Sequence, residues 1–162
     1  MKIICADDMY YNLETLKIVF QNLGLLSSCE FVNDGRQALE RCIKCVEDSD
    51  FGQKYETLII VILDFEMPNM TGLNAIKMIK GFYDTIRWNV QVKNPKYADA
   101  RNFDPENGRA ANYPTFCMYS QHSHKGFREF VLDPDRGVDY IIQKPLNLEE
   151  IYEIVVNAVN KQ

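Results

Sequence analysis

Residues 58–72 read LIIVILDFEMPNMTG, and they give the strongest indication of the fold class. Its first six residues are all aliphatic, which is typical of a strand buried on both faces of a parallel sheet. Asp64 follows at once, so its carboxylate is expected at the carboxyl edge of that sheet, where open α/β sheets place their functional groups. The turn-forming residues after it separate this strand from a helix predicted to begin near Leu73.

The rest of the chain repeats this alternation of an apolar run with an amphipathic segment. Strands are predicted over 3–6, around 29–32, and over 58–63, 115–119 and 140–142. Helices are predicted over 13–23, 39–46 and 123–132, and again from 148, where Asn147 and Glu150 resemble a capping box. Five βα units in succession favour a doubly wound α/β fold, a parallel sheet with helices on both faces.

Length and composition predict one intracellular domain spanning residues 1–162. The chain has a mass of 18.8 kDa, and it contains no apolar stretch that approaches the roughly 20 residues of a membrane span. Met1 leads directly into a strand without the segments of a signal peptide, and five cysteines, an odd number, argue against a secreted disulfide framework. A net charge of −5 without a basic run argues against direct nucleic-acid binding.

Residues 81–113 interrupt the alternation and are predicted to be an insertion between the third helix and the fourth strand. They are far longer than the two to six residues that are usual for such a connection. Trp88, Val90 and Val92 alternate with polar residues, which favours a small hairpin arm. Both a surface insertion and a partner-binding element remain open.

Polar residues at four strand ends predict phosphate chemistry assisted by a divalent cation. Asp7, Asp8, Asp64, Ser120 and Lys144 would all meet at the carboxyl edge. Clustered carboxylates raise one another's pKa unless positive charge lies between them, and Mg²⁺ favours oxygen ligands. Asp64 would be the nucleophile, Asp8 a direct metal ligand, and Asp7 a ligand through water or beside the ion, or else only a cap of the following helix.

These residues and their surroundings resemble the receiver domains of response regulators in two-component signalling and phosphorelays. The resemblance rests on Asp7-Asp8, the stretch LDFEMPNMTG at 63–72, Ser120 and Lys144-Pro145. Weaker marks, Asn12 and the stretch NDG at 33–35, are similar to the receivers of hybrid histidine kinases.

The resemblance implies a flavodoxin-like sheet of order 2-1-3-4-5 and a phosphorelay function. The phosphoryl group would come from a phosphohistidine on a histidine kinase or histidine phosphotransfer protein, and the domain would switch a protein-interaction surface rather than act as a turnover enzyme. The implied roles are phosphoryl acceptance by Asp64, contact with the phosphoryl group by Ser120 and Lys144, and Mg²⁺ binding by Asp7, Asp8, Asp64 and the backbone carbonyl of Glu66.

Some positions depart from the receiver pattern. Ile141 stands where the family usually has a Tyr or Phe switch, and Tyr140 is one residue earlier, on the opposite face of the predicted strand. We therefore expect output to rely less on an aromatic rotamer exchange coupled to Ser120. Glu66 and Gln121 could both reach a water that attacks an acyl phosphate, which leaves the phosphorylated lifetime open.

Two rival functions and one rival site are weighed against this interpretation. A Mg²⁺-dependent phosphohydrolase with an Asp nucleophile would carry a second acid two residues on, which Glu66 matches only loosely. A docking pseudo-receiver would not need all five polar positions. Cys42 and Cys45 lie within a predicted helix without a second cysteine pair, so packing is favoured over zinc or redox chemistry. A free-standing receiver and a part of a hybrid kinase both fit the sequence.

Overall fold

The computed structural model describes residues 1–47, 58–93, 113–122 and 124–160. Short 3₁₀ turns at Leu26–Ser28 and Pro134–Arg136 precede the second and fifth strands. Strands and helices alternate along the chain as β1 Lys2–Ala6, α1 Tyr10–Asn22, β2 Cys29–Val32, α2 Gly35–Glu47, β3 Leu58–Asp64, α3 Gly72–Lys93, β4 Thr115–Ser120, α4 Lys125–Val131, β5 Tyr140–Gln143 and α5 Leu148–Asn160.

The five strands form one parallel sheet of order β2-β1-β3-β4-β5, so the predicted fold class and strand order are confirmed. Strand β3 lies at the centre and pairs with β1 on one side and β4 on the other. The register places Leu63 beside Ala6, and Asp64 beside Tyr119. The ends of neighbouring strands are therefore level, and the loops that follow them share one edge of the sheet.

Each face of the sheet is covered by a hydrophobic core, as a doubly wound sheet requires. Ile4, Val61 and Met118 point to the face covered by α2, α3 and α4, whereas Cys5 and Ile62 point to the face covered by α1 and α5. All five of these residues have an exposed fraction of 1% or less. This double burial explains why the strands read as nearly unbroken apolar runs.

The prediction of a hairpin arm at Trp88–Val92 is wrong, because these residues continue α3, which runs to Lys93. Three alternating residues are too short a pattern to outweigh helix elongation, which adds one hydrogen bond for each residue. Gly81 lies within this helix, where glycine costs only about 1 kcal/mol relative to alanine. The rest of the predicted insertion, residues 94–112, lies outside the described residues.

The remaining helix predictions hold with small changes. Asn147 caps α5 by accepting a hydrogen bond at 2.9 Å from the backbone N–H of Glu149. The two ends of the predicted α5 stripe are exposed, Leu148 by 42% and Val159 by 47%. All five cysteines lie in the described residues and none forms a disulfide. No helix among the described residues combines the length and apolar character needed to cross a bilayer.

Candidate functional site

Lys144 joins two of the predicted site carboxylates at the carboxyl edge of the sheet. Its Nζ donates to Asp7 Oδ2 and to Asp64 Oδ1, each at 2.7 Å. The exposed fractions of the three side chains are 9% for Lys144, 0% for Asp7 and 13% for Asp64. The peptide bond between Lys144 and Pro145 is cis, and it lies directly after β5. The ammonium therefore compensates two carboxylates that have lost most of their contact with water.

Asp7 accepts hydrogen bonds from its own loop and from α1 in addition to the bond from Lys144. Its Oδ1 accepts from the backbone N–H of Met9 at 2.8 Å, and both of its carboxylate oxygens accept from Asn12 Nδ2, at 2.9 and 3.0 Å. With the bond from Lys144, these contacts occupy both oxygens. Asp7 thus holds Met9, the N-cap residue that precedes α1, and belongs to the acidic cluster as well, but it is not itself the N-cap of the helix.

The carboxylates of Asp7, Asp8 and Asp64 fit a divalent cation. One carboxylate oxygen from each lies within 4.8 Å of those of the other two, and this is the one such group of at least three acidic, His or Cys side chains within the described residues. Oxygen ligands of this kind suit Mg²⁺. Asp8 is exposed, whereas Asp7 is buried and saturated with donors. Asp8 and Asp64 are therefore the carboxylates best placed to bind an ion directly.

Burial raises the pKa of Asp64 above its ordinary value, and the negative charge of Asp7 raises it further. The hydrogen bond and the charge of Lys144 oppose this shift. Tyr119, beside Asp64 in the sheet, is buried, and the Nζ of Lys144 lies 4.6 Å from its ring centroid. Burial, with the charges of Asp7 and Asp64, raises the pKa of Tyr119 to about 12. Tyr119 is therefore uncharged near neutral pH, and its ring lines the site beside Lys144.

Ser120 ends β4 one residue beyond the partner of Asp64 and has an exposed fraction of 2%. Its Oγ accepts from the backbone N–H of His122 at 3.1 Å, and its carbonyl accepts from the backbone N–H of Lys144 at 2.9 Å. The second contact ties the ends of β4 and β5 together. Ser120 therefore presents a hydroxyl on the same edge as the carboxylates.

The loop after Asp64 folds back closely onto the strand. The backbone N–H of Gly72 donates to the carbonyl of Phe65 at 3.2 Å. A Cβ at Gly72 would lie 2.3 Å from the backbone oxygen of Asp64, so only glycine fits. Glu66 lies within this loop with its side chain exposed, and its backbone carbonyl is carried by the same turn.

Tyr140 and Ile141 point to opposite faces of the sheet, as predicted. Ile141 is buried in the core that contains Phe127 and Val131 of α4, whereas Tyr140 packs against the core under α1 and α5. Phe127 is the aromatic residue that α4 buries, and its ring lies 5.0 Å from that of Phe65.

Two features of the site were missed at the level of sequence. In the sequence, Tyr119 is only one residue of an apolar strand, although its position before Ser120 places it next to Asp64. Asn12 is only a mark of the family resemblance there, and its spacing of five residues from Asp7 is the signal that identifies it as an anchor of that carboxylate.

The chain is similar to proteins of two-component signalling. No protein-family model matches it. A relative described as probable histidine kinase 1, from Oryza sativa subsp. indica, is 26% identical over 161 residues, which cover 94% of the chain and 15% of the relative. The chain spans only 15 to 20% of the length of the curated relatives it matches.

Solved structures of receiver domains share the fold over nearly the whole chain. A CheY-like response regulator receiver domain protein from Methanospirillum hungatei JF-1 has a TM-score of 0.60 at 16% identity, covering 99% of this chain and 94% of that one. The receiver domain of sensor histidine kinase PA1611 from Pseudomonas aeruginosa PAO1, solved with magnesium in its active-site cleft, has a TM-score of 0.59 at 18% identity, covering 98% and 97%. The chain therefore has the fold of response-regulator receiver domains, and the resemblance seen in the sequence is confirmed at the level of the fold.

Proposed function

We propose that the chain is a phosphoacceptor receiver domain that takes a phosphoryl group onto Asp64 from a phosphohistidine, with Mg²⁺, and switches a protein-interaction surface. The donor would be a histidine kinase or a histidine phosphotransfer protein in the same cytoplasmic compartment. The observation that supports this most strongly is the contact of Lys144 Nζ with both Asp7 and Asp64, beside a third carboxylate. The free-standing and hybrid-kinase alternatives both remain compatible with it.

The proposed transfer uses groups that already lie at the edge of the sheet. An oxygen of the Asp64 carboxylate attacks phosphorus, the bond from phosphorus to the donor imidazole nitrogen breaks, and the imidazole leaves with the electron pair and gains a proton. Lys144 contacts a phosphoryl oxygen once the Asp64 carboxylate has become an acyl phosphate. Ser120 donates a hydrogen bond from its hydroxyl group to another phosphoryl oxygen and keeps its proton.

The cation would be held by Asp8, Asp64 and the backbone carbonyl of Glu66, with Asp7 beside it or joined through water. Bound Mg²⁺ supplies charge neutralisation for the transferring phosphoryl oxygens. Hydrolysis then returns Asp64 to a carboxylate and releases inorganic phosphate. Glu66 and Gln121 are both exposed, and in this proposal they are the side chains that would contact the attacking water, whereas the lifetime of the acyl phosphate stays open.

The output surface in this proposal is α4 and the loop before it. Ser120 Oγ accepts from the backbone of His122, whose ring lies 5.4 Å from the ring of Phe127 in α4. In this proposal the Ser120 side chain rotates toward the phosphoryl group, its bond from the His122 N–H breaks, and His122 and Phe127 move as a result. Tyr140 lies on the other face and would not take part.

Incubation with acetyl phosphate and Mg²⁺ tests the proposal, with intact mass as the readout. We expect one added phosphate, stable to acid and labile to base, that is lost in Asp64→Asn and retained in Asp135→Asn, a matched exposed aspartate on the turn before β5. Labelling of Asp64→Asn would refute the assignment. Many turnovers of a generic phosphomonoester would favour the phosphohydrolase, and Mg²⁺ binding without labelling would favour the docking pseudo-receiver.

A further inference from the structure

A side-chain contact joins the turn after β2 to the loop after β3. Asn69 Nδ2 donates to Asp34 Oδ2 at 2.9 Å, across 35 residues of sequence. Asp34 is buried, and its Oδ1 accepts from the backbone N–H of Gln37 at 2.8 Å, which caps α2. The bond from Gln37, together with that from Asn69, lowers the pKa of Asp34, so this carboxylate is a charged and strong acceptor.

The two segments that this contact joins both have unusual backbone features, a left-handed residue in one and a close backbone approach at a glycine in the other. Asn69 has a φ of 62°, a left-handed conformation that asparagine tolerates better than most residues other than glycine. A Cβ at Gly35 would lie 2.5 Å from the carbonyl oxygen of Met70, so the turn and the loop touch through their backbones. The turn and the loop are therefore in backbone contact as well as joined by the side-chain hydrogen bond.

The turn that carries Asp34 is also tied to the acidic cluster. The backbone N–H of Asp7 donates to the carbonyl of Val32 at 3.2 Å, two residues before Asp34. On the other side, the loop that carries Asn69 begins at Asp64 and includes Glu66. A chain of hydrogen bonds therefore runs from Asp7 to the turn after β2, and from Asp34 in that turn to Asn69 in the loop after β3.

We propose that Asp34 and Asn69 are positioning residues that hold the loop after Asp64, and with it the backbone carbonyl of Glu66, in the arrangement that binds Mg²⁺. This inference rests on the proposed function. Neither residue would touch the ion. Loss of a partner that orients metal ligands costs 10- to 100-fold in metal affinity as a general range, so about a tenfold loss is expected here.

Exchanging the two side chains distinguishes a positioning role from two other causes of a changed Mg²⁺ affinity, namely a change in net charge and a loss of folded structure. Asp34→Asn keeps an oxygen to cap α2 but places an amide against the amide of Asn69. Asn69→Asp places two carboxylates against each other, and its added negative charge alone would strengthen Mg²⁺ binding. The double variant restores one N–H to carboxylate bond with the charge of the parent protein. Asp133→Asn is the matched control, because Asp133 caps the turn before β5 by accepting from the backbone N–H of Asp135.

Calorimetric titration of the intact protein with MgCl₂, without any phosphodonor, gives the readout. Each single variant should bind Mg²⁺ about tenfold more weakly than the parent, whereas the double variant and Asp133→Asn should match the parent. Amide exchange at Gly72, whose N–H closes the loop onto Phe65, should be faster in the single variants alone. Melting curves in EDTA establish that every variant is folded.

The outcomes distinguish this inference from the proposed function. If the parent binds Mg²⁺ and is labelled on Asp64, but Asn69→Asp binds as tightly as the parent or more tightly, the positioning role is overturned and the function stands. A double variant that stays as weak as the single variants also overturns it. If the parent binds no Mg²⁺, both proposals fail.

Discussion

Replacing Lys144 with methionine tests the electrostatic design of the site. The substitution keeps an unbranched side chain next to Tyr119 but removes the ammonium that both Asp7 and Asp64 accept from. With carboxylate oxygens no more than 4.8 Å apart, the repulsion between two unit charges is about 3.5 kcal/mol at an effective dielectric constant of about 20. Loss of one partner from a buried ion pair costs a similar amount, roughly 3–5 kcal/mol.

We therefore expect Lys144→Met to lower the free energy of unfolding by about 3 kcal/mol near neutral pH without divalent cations. Saturating Mg²⁺ should restore more stability to the variant than to the parent, because the cation replaces the missing charge. The stabilisation by Mg²⁺ grows with the ratio of the free Mg²⁺ concentration to the dissociation constant. It reaches about 2.7 kcal/mol when that concentration is about a hundred times the dissociation constant.

Urea denaturation in EDTA and in MgCl₂ measures both effects, with Lys125→Met as the control. Lys125 pairs with Glu129 at 3.6 Å, but the two side chains are 89% and 66% exposed, so its loss should change little. A cost for Lys144→Met as small as that of the control would refute the reasoning. Equal stabilisation of variant and parent by Mg²⁺ would show that the lysine and the cation do not share the same carboxylates.

Two further predictions concern Asp64 and the glycine packed against it. The raised pKa of Asp64 means that the folded protein binds this proton more tightly than the unfolded chain. In the metal-free protein, Asp64 should therefore contribute a gain in stability as pH falls through that pKa toward the unfolded value of about 3.9, against the opposite contribution of Asp34, whose pKa is lowered. Asp64→Asn should remove this gain in a series of melting curves in EDTA, and an unchanged pH profile would contradict it. Gly72→Ala, whose Cβ would meet the Asp64 carbonyl at 2.3 Å, should cost about 1–3 kcal/mol in urea denaturation. Gly81→Ala, with open space around its Cβ in α3, should instead stabilise by up to about 1 kcal/mol, and equal effects of both would contradict the steric argument.

The fold could be predicted because the strands are buried on both faces. Each strand then appears as a short apolar run, and the polar residue that ends it marks the carboxyl edge of the sheet, as Asp64 and Ser120 show. The strand boundaries agree to within one residue, since a change from apolar to polar is abrupt where a buried strand meets solvent. The strand order came from the resemblance to receivers and not from the pattern itself.

Other features depend on contacts that no local pattern records. The length of α3 is one such feature. The alternation over Trp88–Val92 indicates a strand, but these residues continue the helix. The contact between Asp34 and Asn69 is another, since it joins residues on different loops. The stretch NDG at 33–35 and the asparagine after Pro68 were visible as family marks, but their distance in sequence concealed that they touch.

The role of each acid in the cluster is a further matter that depends on the fold. In sequence, Asp7 and Asp8 are equivalent neighbours, yet Met9, Asn12 and Lys144 occupy both oxygens of Asp7 and leave Asp8 exposed. The two acids differ in burial as well, because Asp7 has an exposed fraction of 0% whereas Asp8 is exposed in the turn that follows β1. One acid of the pair is therefore held by neighbouring donors, and the other is left exposed, which is the division of roles that the proposed cation site requires.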